Sequence, residues 1–345
     1  MVAPTTPPKN AFNAYARKVY NPLGFSKAYN FILWFTFAGA LFGFSLSRFM
    51  YLNFNTFCHG PPGTGAAPGE CYYYVNFTRE RIGILLHLAT VLPSGLIACL
   101  QFTPFIRHKW IIVHRIGGYA SLLLYFIGLA GALMIARHAF GGAIETQTAV
   151  FALAIMTTIS FVLAYVNVKR LQIEQHRAWM LRGWFYASCI ITNRLILVLS
   201  AQIISRVGSY YTSWPCAKLA FTIKDDVKTA ELYPECASYF NGSDLLKQAS
   251  VHANFGDDGT GAEVGAAFNM TFGMALWLAL LLHAVGVEIY LHLTPRETER
   301  LRNVSYQRQL EAGMKKPGSG GLTSDRLGDS YQWVPLTSRK SSEGQ

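Results

Sequence analysis

The stretch LQIEQHRAWMLRGWFYASCIITNRLILVLSAQII, residues 171–204, decides the fold. Its first part is polar and basic. From 180 to 204 it is long and apolar enough to cross a bilayer, which takes about 20 residues, yet Arg194 interrupts it. Five further runs of the same kind lie at 30–52, 82–103, 113–136, 148–168 and 268–293. One such run could be a buried helix of a soluble protein; six in series could not. The whole chain agrees: its 345 residues are 51% hydrophobic and only 14% charged, where a soluble domain carries about a quarter. The sequence predicts an all-α integral membrane helical bundle with six transmembrane helices. Residues 1–29 form an N-terminal segment, 30–293 the transmembrane domain, and 294–345 a largely disordered polar tail. The first residues show no cleavable signal, so the first span is read as an uncleaved anchor.

Charge orients the spans. Lys and Arg favour the cytoplasmic side, and they gather in four segments. Lys9, Arg17, Lys18 and Lys27 precede the first span; Arg107 and Lys109 follow the second; Lys169, Arg170 and Arg177 follow the fourth; Arg296, Arg300, Arg302, Arg308, Lys315 and Lys316 follow the sixth. All fall on one side if both termini are cytoplasmic. The outer side then receives the loops 53–81, 137–147 and 206–267. Cys58 and Cys71 lie in the first of these, Cys216 and Cys236 in the third. Paired cysteines in an oxidising compartment predict disulfides; sequence leaves the pairing open, and pairing within each loop is the expectation. The sequons at Asn76 and Asn241 also fall outside and predict glycosylation. The expected location is a secretory-pathway or plasma membrane. The long loop is expected to be a small disulfide-pinned cap ending in a flexible NFGDDGTGAEVG stretch. The net charge of +11 fits a lipid bilayer with anionic headgroups rather than nucleic acid.

The polar residues within the spans are the candidate site. His87, Ser94 and Gln101 repeat by sevens on the second span; His114, Gly118, Ser121, Tyr125, Gly128 and Ala132 step by four and three on the third. Each set shares one helix face. Such stripes suit either close packing or a cavity lining. Gly39 and Gly43 on the first span form a GxxxG packing pattern. The third and fifth spans open with the same dipeptide, His114-Arg115 and His176-Arg177. There the pair reads as juxtamembrane charge, as an anion site at a helix N-terminus, or as imidazoles ligating a haem iron. Arg194 sits about 15 Å below the outer end of its helix and His87 about 9 Å below the outer end of its own. A guanidinium at that depth costs at least about 2.5 kcal/mol, so it is expected to face the protein interior. No acid is expected at its depth; neutral acceptors or an anionic ligand would satisfy it.

His87 before the Gln101-Phe102 exit, then His114-Arg-Ile-Gly, then His176-Arg-Ala-Trp-Met-Leu-Arg and the later Arg194 together resemble the DUF2306 family of multi-pass membrane proteins. The resemblance covers roughly 82–200, HRxWMxR is its most specific part, and fungal members have similar long outer loops. The family's first motif, HRxxGR, lacks its final arginine here. The resemblance implies a site list of His87, Gln101, His114, Arg115, His176, Arg177, Trp179, Arg182 and Arg194, and no reaction.

Three functional expectations follow. The leading one is a haem-binding or redox protein using His87, His114 and His176 with Arg194 as a haem b propionate partner. The second is a transporter or lipid-binding protein in which Arg115, Arg177 and Arg182 hold an anion. The third is an accessory membrane protein of a biosynthetic pathway, holding an apolar small molecule. No hydrolase or nucleotide-binding motif is present.

Overall fold

A computed structural model describes residues 7–8, 10–61 and 63–335; Lys9, counted above with the N-terminal basic residues, lies outside them. The chain order is α1 (Ala11–Tyr20), α2 (Ala28–Ser47), α3 (Phe54–His59), α4 (Cys71–Asn76), α5 (Thr78–Gln101), α6 (Pro104–Lys109), α7 (Ile111–Ile135), α8 (Ile144–Lys169), α9 (Ile173–Ala187) and α10 (Cys189–Val207). Then come β1 (Tyr211–Pro215), α11 (Cys216–Ile223), α12 (Asp226–Leu232), α13 (Ala237–Phe240), β2 (Gln248–His252), α14 (Gly261–His292), α15 (Pro295–Glu311) and α16 (Ser324–Leu327). Six helical stretches are long and apolar enough to cross a membrane: Ala28–Leu52, Thr78–Gln101, Ile111–Ile135, Ile144–Lys169, Ile173–Val207 and Gly261–His292. The six-span reading holds. The fifth is longer than expected because α9 runs almost unbroken into α10. The sixth begins earlier, at Gly261 rather than near 268.

The described residues divide into two compact units. One comprises the chain up to Val150 with Ile191–Leu276; the other comprises Phe151–Ile190 with the residues from Trp277 onward. In the first unit α5 and α7 pack along their whole length, and the small residues show why. A Cβ at Gly131 would meet the Gly83 carbonyl oxygen at 2.5 Å and the His87 nitrogen at 2.7 Å. Ser94 donates to the Ser121 carbonyl at 2.7 Å, and a Cβ at Gly117 would strike the Gln101 amide nitrogen at 2.4 Å. The two polar stripes therefore face each other as a seam. The GxxxG of α2 is different: a Cβ at Gly39 or Gly43 would meet nothing within 4 Å, so among the described residues nothing packs onto those two glycines.

The long loop folds as the cap expected. Strands β1 and β2 pair antiparallel, Thr212 opposite Val251 and Trp214 opposite Ala249. Cys216–Cys236 ties α11 to the turn before α13, around a core of Trp214, Leu219 and Val251. Cys58–Cys71 closes the first loop. Both pairings lie within a loop. The NFGDDGTGAEVG stretch is not loose. Thr260 and Glu263 form a reciprocal cap on α14: Thr260 N–H donates to Glu263 Oε2 at 2.8 Å and Glu263 N–H to Thr260 Oγ1 at 3.3 Å.

In the second unit the tail is a correction to the disorder expected, as far as it is described. After α15 the GSGG segment turns back. Gly321 N–H donates to Gln172 Oε1 at 2.8 Å, Leu322 N–H to Asn167 Oδ1 at 2.8 Å, and Gly318 N–H to Gln309 Oε1 at 2.7 Å. Asn167, Gln172 and Gln309 are fully buried. Polar side chains so buried need partners, and the strap's backbone supplies them.

Candidate functional site

In the first unit, three loops and two helices converge on one carboxylate. Glu70 precedes Cys71, so the Cys58–Cys71 disulfide holds its backbone in place. Its side chain is 2% exposed and accepts from the Phe140 N–H at 2.7 Å. Phe140 itself has φ 49°, the left-handed region, which a bulky residue rarely adopts. Gly141 and Gly142 follow at φ 80° and 60°; a Cβ on Gly141 would strike Asn269 at 2.7 Å and one on Gly142 would overlap the Arg137 carbonyl. This turn lays the Phe140 ring flat on Phe272 of α14, with centroids 4.0 Å apart and planes 5° apart. Arg194 of α10 completes the layer, its guanidinium 4.6 Å from the Phe140 ring centre and 5.4 Å from that of Phe272.

Arg194 thus faces the protein, as its cost in lipid requires. Aromatic faces offset part of that cost, about 0.5–2 kcal/mol each. They offer no acceptor to its five N–H donors, and no described residue forms an ion pair with it. Arg48, Tyr51, Glu70, Tyr74 and His87 lie within its electrostatic reach. An acid does sit in its neighbourhood, contrary to expectation, because the first loop carries Glu70 inward. The adjoining Asn193 is fully buried, and both of its amide atoms lack a hydrogen-bond partner among the described residues.

Behind Glu70 lies Lys218 of α11, 1% exposed, its ammonium 3.6 Å from the Trp214 ring centre and 3.2 Å from Asn269 Oδ1. Asn269 Nδ2 points on to Glu70 at 3.5 Å. Burial pushes the Glu70 carboxyl above its ordinary range, against the opposing pull of Lys218 and the Phe140 N–H. Burial likewise lowers Lys218 to about 8, with Glu70 resisting. The Tyr74 phenol is raised well above its usual value, chiefly by burial and then by Glu70.

Within each unit the histidines stand apart. His87 Nδ1 lies 2.9 Å from the Gly128 carbonyl in the α5–α7 seam. His114 lies in the first turn of α7, and Gly131, the seam residue touching His87, is about 25 Å farther along that helix at the α-helical rise. These two cannot share an iron. His138 lies 3.0 Å from Glu80 and stacks on Tyr73.

In the second unit His176 Nδ1 lies 3.0 Å from the Ala164 carbonyl, and His283 Nδ1 lies 2.6 Å from that of Phe185. Phe185 is about 13 Å along α9 from His176, so this pair is apart as well. Arg182 is taken by a two-pronged ion pair with Glu288 at 2.6 and 2.9 Å, and rests on Trp179. Arg177 reaches Tyr290 and Thr294 at 3.3 and 3.4 Å. Arg115 is exposed on α7 in the first unit. The three arginines expected to hold an anion are therefore engaged internally in two cases. Of the sequons, Asn76 and Asn241 are both exposed.

Sequence reasoning named Arg194 and missed Glu70, Phe140 and Lys218. Two signals were there. Glu70 is the only acid between residues 53 and 77, and Phe140 stands before two glycines.

The comparisons agree with this picture of a membrane protein. A protein of Aspergillus versicolor described as "Ava biosynthesis cluster protein G" is 26% identical over 312 residues, spanning 78% of this chain and 89% of that protein. No solved structure matches. Residues 84–224, which run from α5 through Arg194 to the cap lysine Lys218, match the DUF2306 family, described as a predicted membrane protein.

Proposed function

We propose that this chain is an accessory membrane protein of a small-molecule biosynthetic pathway. In this reading it holds, within the membrane, an apolar metabolite bearing a carboxylate or similar oxyanion. The carrying observation is Arg194: a half-buried guanidinium lying against two stacked phenylalanines, with no ion-pair partner among the described residues. The rings suit an apolar body and the guanidinium suits its anionic end. The name of the relative, a biosynthesis cluster protein, supports the pathway setting. The haem reading draws no support from the comparisons, and the two histidines expected to share the iron, His114 and His176, belong to different units.

The test is extraction of small molecules from protein purified in mild detergent, with mass spectrometry of the wild type, Arg194→Lys and Arg194→Met. The expected result is an acidic metabolite retained by the wild type, weakened in Arg194→Lys and lost in Arg194→Met at unchanged melting temperature. Equal retention by Arg194→Met would sink the assignment. Deleting the gene is expected to remove one metabolite from the host's profile.

A further inference from the structure

The folded tail of the second unit forms an open surface pocket, edged by three cations, that none of the functional readings uses. Its volume is about 380 Å³, and it is lined by Met314, Lys315, Lys316, Ser319, Gly320 and Arg326. Three of those six residues are cations and none is an acid. The nearby acid, Asp325, is already engaged: it pairs with Arg302 at 2.7 Å and accepts from Ser319 at 2.5 Å. Lys315 and Lys316 are exposed and form no ion pair among the described residues. Arg326 is fixed at the pocket because it donates to the carbonyls of Gly320 and Gly321. These bonds orient the guanidinium and leave its charge without an acidic partner, so a multiply charged anion in the pocket would meet three cations along its lining.

The position of the pocket selects the anion. The strap that forms its wall is bonded to Asn167, in the last turn of the span Ile144–Lys169, through the Leu322 N–H at 2.8 Å. It is also bonded to Gln172, just beyond that span, through the Gly321 N–H at 2.8 Å. A pocket anchored at the end of a membrane span lies at headgroup depth. Basic pockets there recognise phosphorylated lipid headgroups.

We infer that Lys315, Lys316 and Arg326 form a binding site for the phosphorylated headgroup of an anionic lipid, on the tail side of the membrane. The site is independent of Arg194 and belongs to a different unit. Headgroup binding would join the segment after α15, the strap and α16, because the lysines, Ser319 and Arg326 come from these three parts of the tail.

The experiment uses full-length protein in detergent, titrated with short-chain phosphatidylinositol bisphosphate, with short-chain phosphatidylcholine and with free inositol trisphosphate. Lys315→Gln/Lys316→Gln is the test variant, since neither lysine supports the fold, and equal thermal melting confirms that it is folded. The expected result is saturable binding of the bisphosphate lipid that weakens with salt and is at least about tenfold weaker in the double variant. Arg326→Lys, which keeps the charge but loses the second carbonyl bond, is expected to fall between. Equal affinity of wild type and double variant overturns the site. Binding of phosphatidylcholine as tight as the bisphosphate lipid overturns the headgroup chemistry. Free inositol trisphosphate binding as tightly as the lipid overturns the lipid as the source.

Discussion

A buried ammonium beside a buried carboxylate is expensive to remove one half at a time. Lys218 and Glu70 are 1% and 2% exposed, with Asn269 between them. Lys218→Met leaves Glu70 without the buried ammonium beside it and is expected to cost about 3–5 kcal/mol. Glu70→Gln added to Lys218→Met should recover much of that. Thermal melting in detergent checks both, and a double variant no better than the single would show that the two groups are not coupled. The pair also fixes a sign with pH. Folding lowers Lys218 to about 8, below its ordinary 10.5. Between those values the unfolded chain still binds a proton that the folded protein has released, so this group makes stability rise as pH rises through that window. The rise should be present in the wild type and missing from the stability curve of Lys218→Met. None of this pairing was legible in the sequence, since Glu70 and Lys218 are 148 residues apart in the numbering and meet only once the cap is folded.

At the scale of elements, the periodic features were the legible ones. Spacing of seven on α5 and of four and three on α7 placed His87, Ser94, Ser121 and Gly128 on facing stripes, and the structure closes those stripes into a seam. What spacing could not settle was cavity against contact, which depends on how closely the backbones approach. At Gly131 the obstacle is backbone, at 2.5 and 2.7 Å, and backbone cannot swing aside; at Gly118 the nearest atom is 3.7 Å away, on the flexible Gln101 side chain. Gly131→Ala is therefore expected to destabilise by about 1–3 kcal/mol through overpacking, while Gly118→Ala melts like the wild type. Equal melting of the two would mean the helices can separate at no cost. The capping box of α14 was readable in principle, as Thr260 and Glu263 stand three apart before an apolar run, but four glycines and aspartates ahead of it suggested a loose loop. Thr260→Ala should cost about 1 kcal/mol, a value melting of the cap can resolve.

At the scale of the molecule, hydropathy found six spans because lipid imposes length and composition on each one separately. It overlooked the folded tail because GSGG and its polar neighbours carry no apolar face. Their order comes from backbone bonds to side chains contributed by α8, α9 and α15. The tail is thus a conditional structure: Asn167, Gln172 and Gln309 lose their partners if it leaves, and it loses its order without them. Gly321 is the point at which to test this. A Cβ there would meet the Gln172 Cβ at 2.4 Å and Asn167 Oδ1 at 2.5 Å, both on packed residues with no room to yield. Gly321→Ala should release the strap without deleting it. Each lost backbone bond is worth about 1 kcal/mol, so loss of two or three shifts local opening by about a hundredfold. Limited trypsin digestion reads this directly, since Lys315 and Arg326 flank the strap; Lys316 precedes Pro317 and is not cut. Cleavage at those sites should be much faster in Gly321→Ala than in the wild type, while Gly313→Ala, where a Cβ would meet nothing within 4 Å but the backbone is held at φ 68°, should change it far less. If Gly321→Ala is cleaved no faster than the wild type, the strap does not depend on its fit against Gln172, and the buried glutamines must be satisfied in another way.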